Sequence, residues 1–437
     1  MKKLIVLFYL TLLSGIIYAQ PGTWSEQNSG VTTNLTSVWC AYNSTAWVCG
    51  YSGTVLRTSN AGVNWINISG NGIPANVNLV SISGLNSDAI VAGYLGTDTW
   101  VWKTSNAGLN WQQVFYQAGG FINSVWMNSV TNCFMYGDPV GGRWSLWKST
   151  NSGMNWDSTG MYLPQAGGET GYNNAMVIQD SKIWFGTNNS RIYYSINDGT
   201  NWTVQSILPN TDAYVIWFSP MAMTGQGLYG NDNLYQTTNN GANWSLLPSL
   251  STGQFSGITS LPLIVNNQLL VQPVWYVRST NLIYYSSNYG ANWSIDYTNP
   301  TSLITYKHMS IANYGNGIWA VGTNGKITYH TPLVGINKIE TEIPSAYSLS
   351  QNYPNPFNPV TKIRFDIQKS EFRSQNSEVT LKIYDALGRE VETLVNEQLA
   401  PGTYEVRFDG SKLNSGVYFY ILSTGDFSET KRMLLLK

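Results

Sequence analysis

The 437 residues are too many for one ordinary domain, and 43% hydrophobic with 14% aromatic residues is ample for a packed core, which excludes a disordered chain. A net charge of -1 and a pI of 6.1 give no electrostatic footing for nucleic acid or an anionic membrane surface. Residues 20–331 hold only nine Lys/Arg and eleven Asp/Glu, so the remaining charge is concentrated near the C-terminus and two domains of different make-up are expected.

The first segment reads as an export signal. Lys2 and Lys3 precede an apolar run over residues 4–17, too short and wrongly flanked for a membrane span, and Ile17-Tyr18-Ala19 ends on a small residue. We expect a signal peptide over 1–19, cleavage near Ala19, and a mature chain from about Gln20 with no membrane span. The alternative is an uncleaved anchor helix. No Cys follows the expected cut, so a lipid anchor at this end is not expected.

From residue 20 onward the chain repeats itself. The pattern Ser/Thr-x-Asn-x-Gly-x-Asn-Trp occurs six times, ending at Trp65, Trp111, Trp156, Trp202, Trp244 and Trp293. These tryptophans fall 46, 45, 46, 42 and 49 residues apart, the period of one four-stranded propeller blade. Each unit begins with strand-like runs such as Leu35-Thr36-Ser37-Val38-Trp39 and Ala46-Trp47-Val48-Cys49-Gly50, and the motif is then the turn from the third strand to the fourth. Its Asn (Asn60, Asn106, Asn151, Asn197, Asn239, Asn288) is expected to bond backbone amides two residues on. Its Gly (Gly62, Gly108, Gly153, Gly199, Gly241, Gly290) is expected to supply a positive φ. The Trp is a large apolar plate to wedge between blades. The motif also creates sequons such as Asn201-Trp202-Thr203, for which the repeat itself is the stronger explanation.

Cys40 and Cys49 lie on the first two strands of one blade, close enough to pair across a hairpin, while Cys133 has no evident mate; alternatively all three are buried small apolar residues. His308 and His330 are the only histidines and neither sits in a ligand-spaced cluster, so no metal and no cofactor are expected. After the sixth motif, residues 309–312, 317–321 and 326–329 read as three more strands with no closing turn. Trp24-Ser25-Glu26-Gln27 is available as the missing fourth strand, giving seven blades closed by the two chain ends, with six or eight left open.

Ligands of such rings usually sit on the face formed by the strand 2–3 loops and the connections between blades. On this face residues 95–100, 138–144, 163–172 and 273–280 are long or aromatic. Trp100, Trp144, Trp275 and Tyr276 are candidates for stacking on sugar rings, with Arg143, Arg278, Asp98 and Asp138 for polar contacts, unless the aromatics pack between blades. A glycosidase needs two carboxylates flanking the scissile bond, and Asp98, Asp138, Glu169 and Asp212 are the acids placed to converge. No Gly-x-Ser-x-Gly elbow and no phosphate-binding Gly-rich loop ahead of a helix is present.

The turn motif resembles the Asp-box, Ser-x-Asp-x-Gly-x-x-Trp, of sialidases, xyloglucanase-type glycoside hydrolases, the sortilin ectodomain and the photosystem II assembly factor family, with Asn where Asp is usual. The resemblance covers residues 20–331 and implies the fold more than an activity. A sialidase would add an arginine cluster, but Arg57 and Arg191 adjoin the boxes, leaving Arg143 and Arg278, and no Arg-Ile-Pro segment opens the propeller.

At the other end, Asn352-Tyr353-Pro354-Asn355-Pro356-Phe357-Asn358-Pro359 is followed by Thr361-Lys362-Ile363-Arg364-Phe365, Asp385-Ala386-Leu387-Gly388-Arg389, Gly416-Val417-Tyr418 and a terminal Lys431-Arg432-Met433-Leu434-Leu435-Leu436-Lys437. This order resembles the type IX secretion C-terminal sorting domain and spans residues 346–437, with 332–345 as linker. The expected fold is all-β: a seven-bladed β-propeller followed by a small immunoglobulin-like β-sandwich. The resemblance implies Sec export, passage through the type IX machinery as partner, and a surface-attached or secreted product. The expected function is a binding or scaffold module for an extracellular glycan or protein, without catalysis; the alternative is a glycoside hydrolase.

Overall fold

The structure, a computed structural model, describes residues 24–41, 45–207, 212–219, 225–250, 253–260, 263–265, 268–271, 273–311, 317–330, 337–340, 344–368, 377–399, 401–410, 413–425 and 427–437. The expected signal peptide and most of the expected linker lie outside these residues.

Seven antiparallel sheets follow one another along the chain. Blade 1 is Leu35–Cys40, Ala46–Gly50, Val55–Thr58 and Ile66–Asn67; blade 2 is Asn78–Leu85, Asp88–Leu95, Asp98–Thr104 and Gln112–Gln117. Blade 3 has three strands, Ile122–Met127, Cys133–Val140 and Arg143–Ser149, with two isolated bridges, Lys148 to Asp157 and Arg143 to Pro164, in place of the fourth. Blade 4 is Gly171–Gln179, Lys182–Thr187, Arg191–Ser195 and Thr203–Ser206, and blade 5 is Val215–Phe218, Gly227–Gly230, Leu234–Thr237 and Ser245–Leu247. Blade 6 is Phe255–Ser260, Val274–Arg278, Leu282–Ser286 and Ser294–Thr298, with a hairpin of Leu263–Val265 and Gln268–Val271 inserted after its first strand. Blade 7 is Tyr306–Ile311, Ile318–Gly322 and Ile327–His330, and its fourth strand is Trp24–Gln27, in register Trp24 to His330 and Gln27 to Ile327. The two chain ends thus close the ring as expected, Trp24–Gln27 covering the edge of Ile327–His330.

Each of the six motif turns has one geometry. In blade 2 the Thr104 hydroxyl accepts the N–H groups of Asn106 (3.3 Å) and Gly108 (3.0 Å) and donates to Asn106 Oδ1 at 2.9 Å. Asn106 Oδ1 in turn accepts the N–H of Asn110 at 3.0 Å, so the amide reaches four residues on, not the two expected from an ordinary Asx turn. The same bonds recur around Asn60, Asn151, Asn239 and Asn288. The box glycines do take positive φ, 87° at Gly108, and the residue before them does too, 59° at Ala107. Every box leans on the preceding blade: a Cβ on Gly108 would meet Ile68 of blade 1 at 2.3 Å, and one on Gly199 would meet Phe134 of blade 3 at 2.9 Å. The box Trp fills the same seam. Trp111 packs edge-on against Trp47 of the previous blade, and Trp293 Nε1 donates to Pro248 O at 2.6 Å.

All three cysteines are free and buried. Cys40 pairs in register with Ala46 and Cys49 with Ser37, so the two thiols are not cross-strand partners, and they belong to different inter-blade cores. Burial pushes each thiol up to about 12.

The C-terminal region is a sandwich of two four-stranded sheets, Asn337–Glu340, Gly402–Asp409, Val360–Ile367, Ser348–Leu349 and Glu390–Leu399, Ser377–Asp385, Gly416–Thr424, Phe427–Leu435. Alternate residues of Val360–Ile367 are buried, and Ile363, Phe365 and Ile367 meet Leu381, Ile383 and Leu422 in one core. Residues 337–340, inside the stretch expected as linker, are already the edge strand of this sandwich, paired with Gly402–Asp409. The Asn- and Pro-rich opening covers the edge of the last strand. Asn355 Oδ1 accepts the N–H of Leu434 at 2.9 Å, and Phe357 N–H donates to Leu434 O at 2.9 Å.

Candidate functional site

The order of strands gives the ring two unlike ends. The box turns and the strand 1–2 hairpins all lie at one end, and the strand 2–3 hairpins and blade connections lie at the other, here called the open end. Asp98, Asp138, Glu169, Asp212, Trp100, Arg143 and Arg278 are all on strand ends or connections of the open end, as expected from the topology.

The four carboxylates have different fates. Asp98 sits on the rim, accepting the N–H of Gly119 at 3.0 Å and the hydroxyl of Tyr116 at 2.8 Å. These donors, the Gly119 amide first, hold its carboxyl below the usual range, so it stays ionised. Glu169 is fully buried: Oε1 lies 2.9 Å from Arg191 Nε, and Oε2 accepts Ala166 N–H (3.1 Å) and the Tyr193 hydroxyl (2.9 Å). The Arg191 Nε–H itself points to Asn189 O at 3.2 Å, so the contact is a charge pair. Asp212 accepts the Tyr172 hydroxyl at 2.8 Å. Asp138 is half-buried; its Oδ1 accepts Gly171 N–H at 2.7 Å and Asn123 Nδ2 at 2.8 Å, while burial, the larger effect, pushes its carboxyl up.

Most of the aromatic candidates are in the core. Trp144 is buried among Tyr136, Phe185 and Tyr193 of the blade 3–4 seam. Trp275 is buried and donates Nε1 to Asp296 Oδ2 at 2.9 Å; Tyr276 is buried, stacks on Tyr284 and donates its hydroxyl to Leu250 O at 2.9 Å. None of these three presents a face to a ligand. They sit on strands whose two faces are both covered by neighbouring blades, so alternation does not send one residue in two to solvent. Trp100 alone of the four is partly accessible, tilted against the exposed Tyr116 at 5.4 Å.

The two arginines are also spent. Arg278 is fully buried, its Cζ 4.0 Å above the Phe255 ring, with Nη1 and Nη2 donating to Asp232 O (3.3 and 3.4 Å) and Nη2 to Ser249 Oγ (3.2 Å). Arg143 is half-buried, with Nη2 3.5 Å from Ser158 Oγ.

One feature of this end escaped the sequence reading. In the innermost strand of blade 4, Gly171 pairs with Thr187 and Met176 with Phe185, so residues 172–175 oppose Gly186 alone and bulge out of the ladder. Asn174, at φ 60°, reaches to the far side of the ring, where its Oδ1 accepts the Ser37 hydroxyl of blade 1 (3.2 Å) and its Nδ2 donates to Val80 O of blade 2 (3.1 Å). The bulge therefore spans the central channel and gives the open end a floor. It is fixed from behind by the Tyr136 hydroxyl, which donates to Tyr172 O at 2.6 Å, and by Tyr172 bonded to Asp212. The strand is correspondingly long, nine residues against six in the first strand of blade 1, and no local sequence pattern marks the bulge.

Among the described residues no group of three or more His, Cys, Asp or Glu is placed to hold a metal ion, and no helix is long and apolar enough to cross a membrane.

Residues 351–436 match the secretion system C-terminal sorting domain. No curated protein matches the chain. Among solved structures the chain is similar to "YCF48 bound to D1 peptide", at 14% identity and a TM-score of 0.56, covering 71% of this chain and 99% of that one. It is similar also to "YCF48 from Cyanidioschyzon merolae", at 14% identity and a TM-score of 0.54 over the same shares. Likeness at that identity fixes the propeller fold and leaves function to the site. The sorting domain makes this a protein exported by the type IX route, with the secretion machinery as partner and the cell surface or the medium as destination.

Proposed function

We propose that the propeller is a binding module that works outside the cell, with its ligand seated on the open end, and that this ligand is a segment of polypeptide. On this reading residues 1–19 direct Sec export and are removed near Ala19, and the sorting domain carries the propeller across the outer membrane. The observation that carries binding over hydrolysis is the state of the carboxylates. Glycoside hydrolysis needs one carboxylic acid free to protonate and one carboxylate free to attack or to activate water, whereas Glu169 is buried and charge-paired, Asp212 takes a tyrosine hydroxyl and both oxygens of Asp98 are occupied, by Gly119 N–H and the Tyr116 hydroxyl. Only Asp138 lies outside the contacts of these three and keeps an oxygen with no hydrogen bond among the described residues, and one carboxyl is not a pair.

Polypeptide is favoured over polysaccharide because Trp144, Trp275 and Tyr276, the expected sugar platforms, are spent in the core. A propeller of the same fold is described as bound to a peptide, which adds support by analogy. The exposed Tyr116 beside Trp100 favours a glycan as the second reading. The test is to immobilise the mature full chain and present peptide and polysaccharide panels, scoring retention and released sugar separately. Peptide retention without sugar release is expected. Sugar release abolished by Asp138→Asn or Glu169→Gln would make it a hydrolase, and glycan retention alone would select the second reading.

A further inference from the structure

At the open end the half-buried Asp138 has neither a cation nor a hydroxyl donor on its carboxylate. Of the other carboxylates described there, Glu169 has Arg191, Asp98 and Asp212 have tyrosine hydroxyls, and Asp232, in the blade 5 hairpin, is exposed to solvent. Asp138 has two donors, and both act on the same oxygen: Asn123 Nδ2 and Gly171 N–H converge on Oδ1, while Oδ2 takes no hydrogen bond from any described residue. No Lys or Arg among the described residues pairs with it. The carboxylate is consequently oriented by one oxygen and left with the other open, in a half-buried position where an uncompensated charge is poorly solvated.

We propose that Asp138 is the specificity-determining group of the open end, selecting polypeptide segments that place a lysine ammonium or an arginine guanidinium against its open oxygen. This rests on the reading of the open end as a polypeptide site. The neighbouring backbone explains why the position is exact. Gly171, which clamps Oδ1, begins the blade 4 bulge, and three residues further along the same strand Asn174 closes the channel by its bonds to Ser37 and Val80. A side chain entering the ring from the open end therefore meets a floor at the level where Asp138 is fixed. A neutral donor would satisfy the open oxygen, but a cation also supplies the missing counter-charge, and charge-assisted bonds are roughly twice as strong as neutral ones. Burial pushes the Asp138 carboxyl up, as expected of a carboxylate with no cation near it.

The experiment uses the mature full chain and an array of random dodecapeptides, followed by solution affinities for the retained sequences and for copies with each Lys or Arg replaced by Gln. Retained peptides are expected to carry a Lys or Arg whose replacement weakens binding about ten-fold or more. Asp138→Asn should weaken the cationic peptides by the same factor and leave the Gln copies unchanged. This variant keeps Oδ1 as acceptor for Asn123 and Gly171, so it retains the local fold, and an unchanged melting temperature verifies that. Retention with no dependence on the cation, or cationic binding indifferent to Asp138→Asn, overturns the proposal and leaves the binding module standing. No retention of any peptide overturns both. Should Asp138→Asn fail to fold, the Lys/Arg-to-Gln comparison on the unmodified chain decides alone.

Discussion

The two ends of the propeller are built from the same seven blades and follow opposite rules. At the box end six turns share one hydrogen-bond pattern, one pair of positive φ residues and one Trp seam, as if a single solution had been copied. At the open end no two blades agree: blade 2 carries Asp98 clamped by Tyr116, blade 3 carries Asp138 with an open oxygen, and blade 4 sends Asn174 across the channel. The difference separates two kinds of constraint. Positions that hold neighbouring blades together must be the same in every blade because every seam is the same, whereas positions that meet a ligand are freed from that symmetry and diverge.

The largest effect that would break this comparison comes from making one substitution at both ends. Gly108→Ala in the box of blade 2 places a Cβ 2.3 Å from Ile68 of blade 1, at φ 87°. Overpacking and the left-handed backbone together should cost about 4 kcal/mol. Gly96→Ala in the open-end hairpin of the same blade has φ 63° and nothing within 4 Å, so only the backbone term applies, about 1 kcal/mol. Denaturant melts of the two variants check the pair, and equal losses would refute the claim that the box glycine is a seam residue.

Blade 7 sharpens the comparison, because it receives the box of blade 1 while carrying none of its own. His308, on its innermost strand, accepts the N–H of Val38 in blade 1 through Nδ1 at 3.2 Å, and burial holds it down at about 4. Above pH 6.5 the ring is neutral in both folded and unfolded chains and costs nothing. Between 6.5 and 4 the unfolded chain binds a proton that the folded one refuses, so stability falls as pH falls, by about 3 kcal/mol at most, and levels off below 4. The urea midpoint measured from pH 7 to pH 4.5 should show this loss, and His308→Gln should flatten it. On the same seam Gln27 Oε1 accepts Trp65 Nε1 (2.9 Å) and Trp319 Nε1 (3.2 Å), receiving the blade 1 box as Gln205 receives that of blade 5. Gln27→Leu strands both indole donors and should cost about 2 kcal/mol in the same assay.

How much of this was legible follows from the same division. The repeat, the period and the orphan strands at the two chain ends carried the blade count and the closure by Trp24–Gln27, because each is a local pattern. The C-terminal sandwich was legible for the same reason, through its alternating strands and its Asn- and Pro-rich opening. The open end was legible only as a location. Trp275 and Tyr276 lie on a strand buried at every position, as Trp47 does, and where both faces are covered the period of two that tells inside from outside disappears. Asn174 acts on Val80 and Ser37, 94 and 137 residues away, and no window of sequence relates them. Gly171 and Asn123 meet on Asp138 for equally non-local reasons, so the acid could be named but not its one open oxygen.

The smallest expected effect tests why these boxes carry Asn where the resembling families carry Asp. In blade 2 the Asn106 side chain works only through Oδ1, accepting the Thr104 hydroxyl at 2.9 Å and the Asn110 N–H at 3.0 Å, and its Nδ2 makes no hydrogen bond with the described residues. Both partners are donors, so a carboxylate meets them equally well. The side chain is exposed, so the added charge is solvated rather than buried. Asn106→Asp should therefore move stability by less than about 0.5 kcal/mol at neutral pH. Asn106→Leu, which removes the acceptor and strands the hydroxyl and the N–H, should cost about 1 to 2 kcal/mol. Thermal unfolding of the two variants side by side checks the argument, and a loss in Asn106→Asp as large as in Asn106→Leu would mean that the amide nitrogen has a role in the box that its hydrogen bonds do not show.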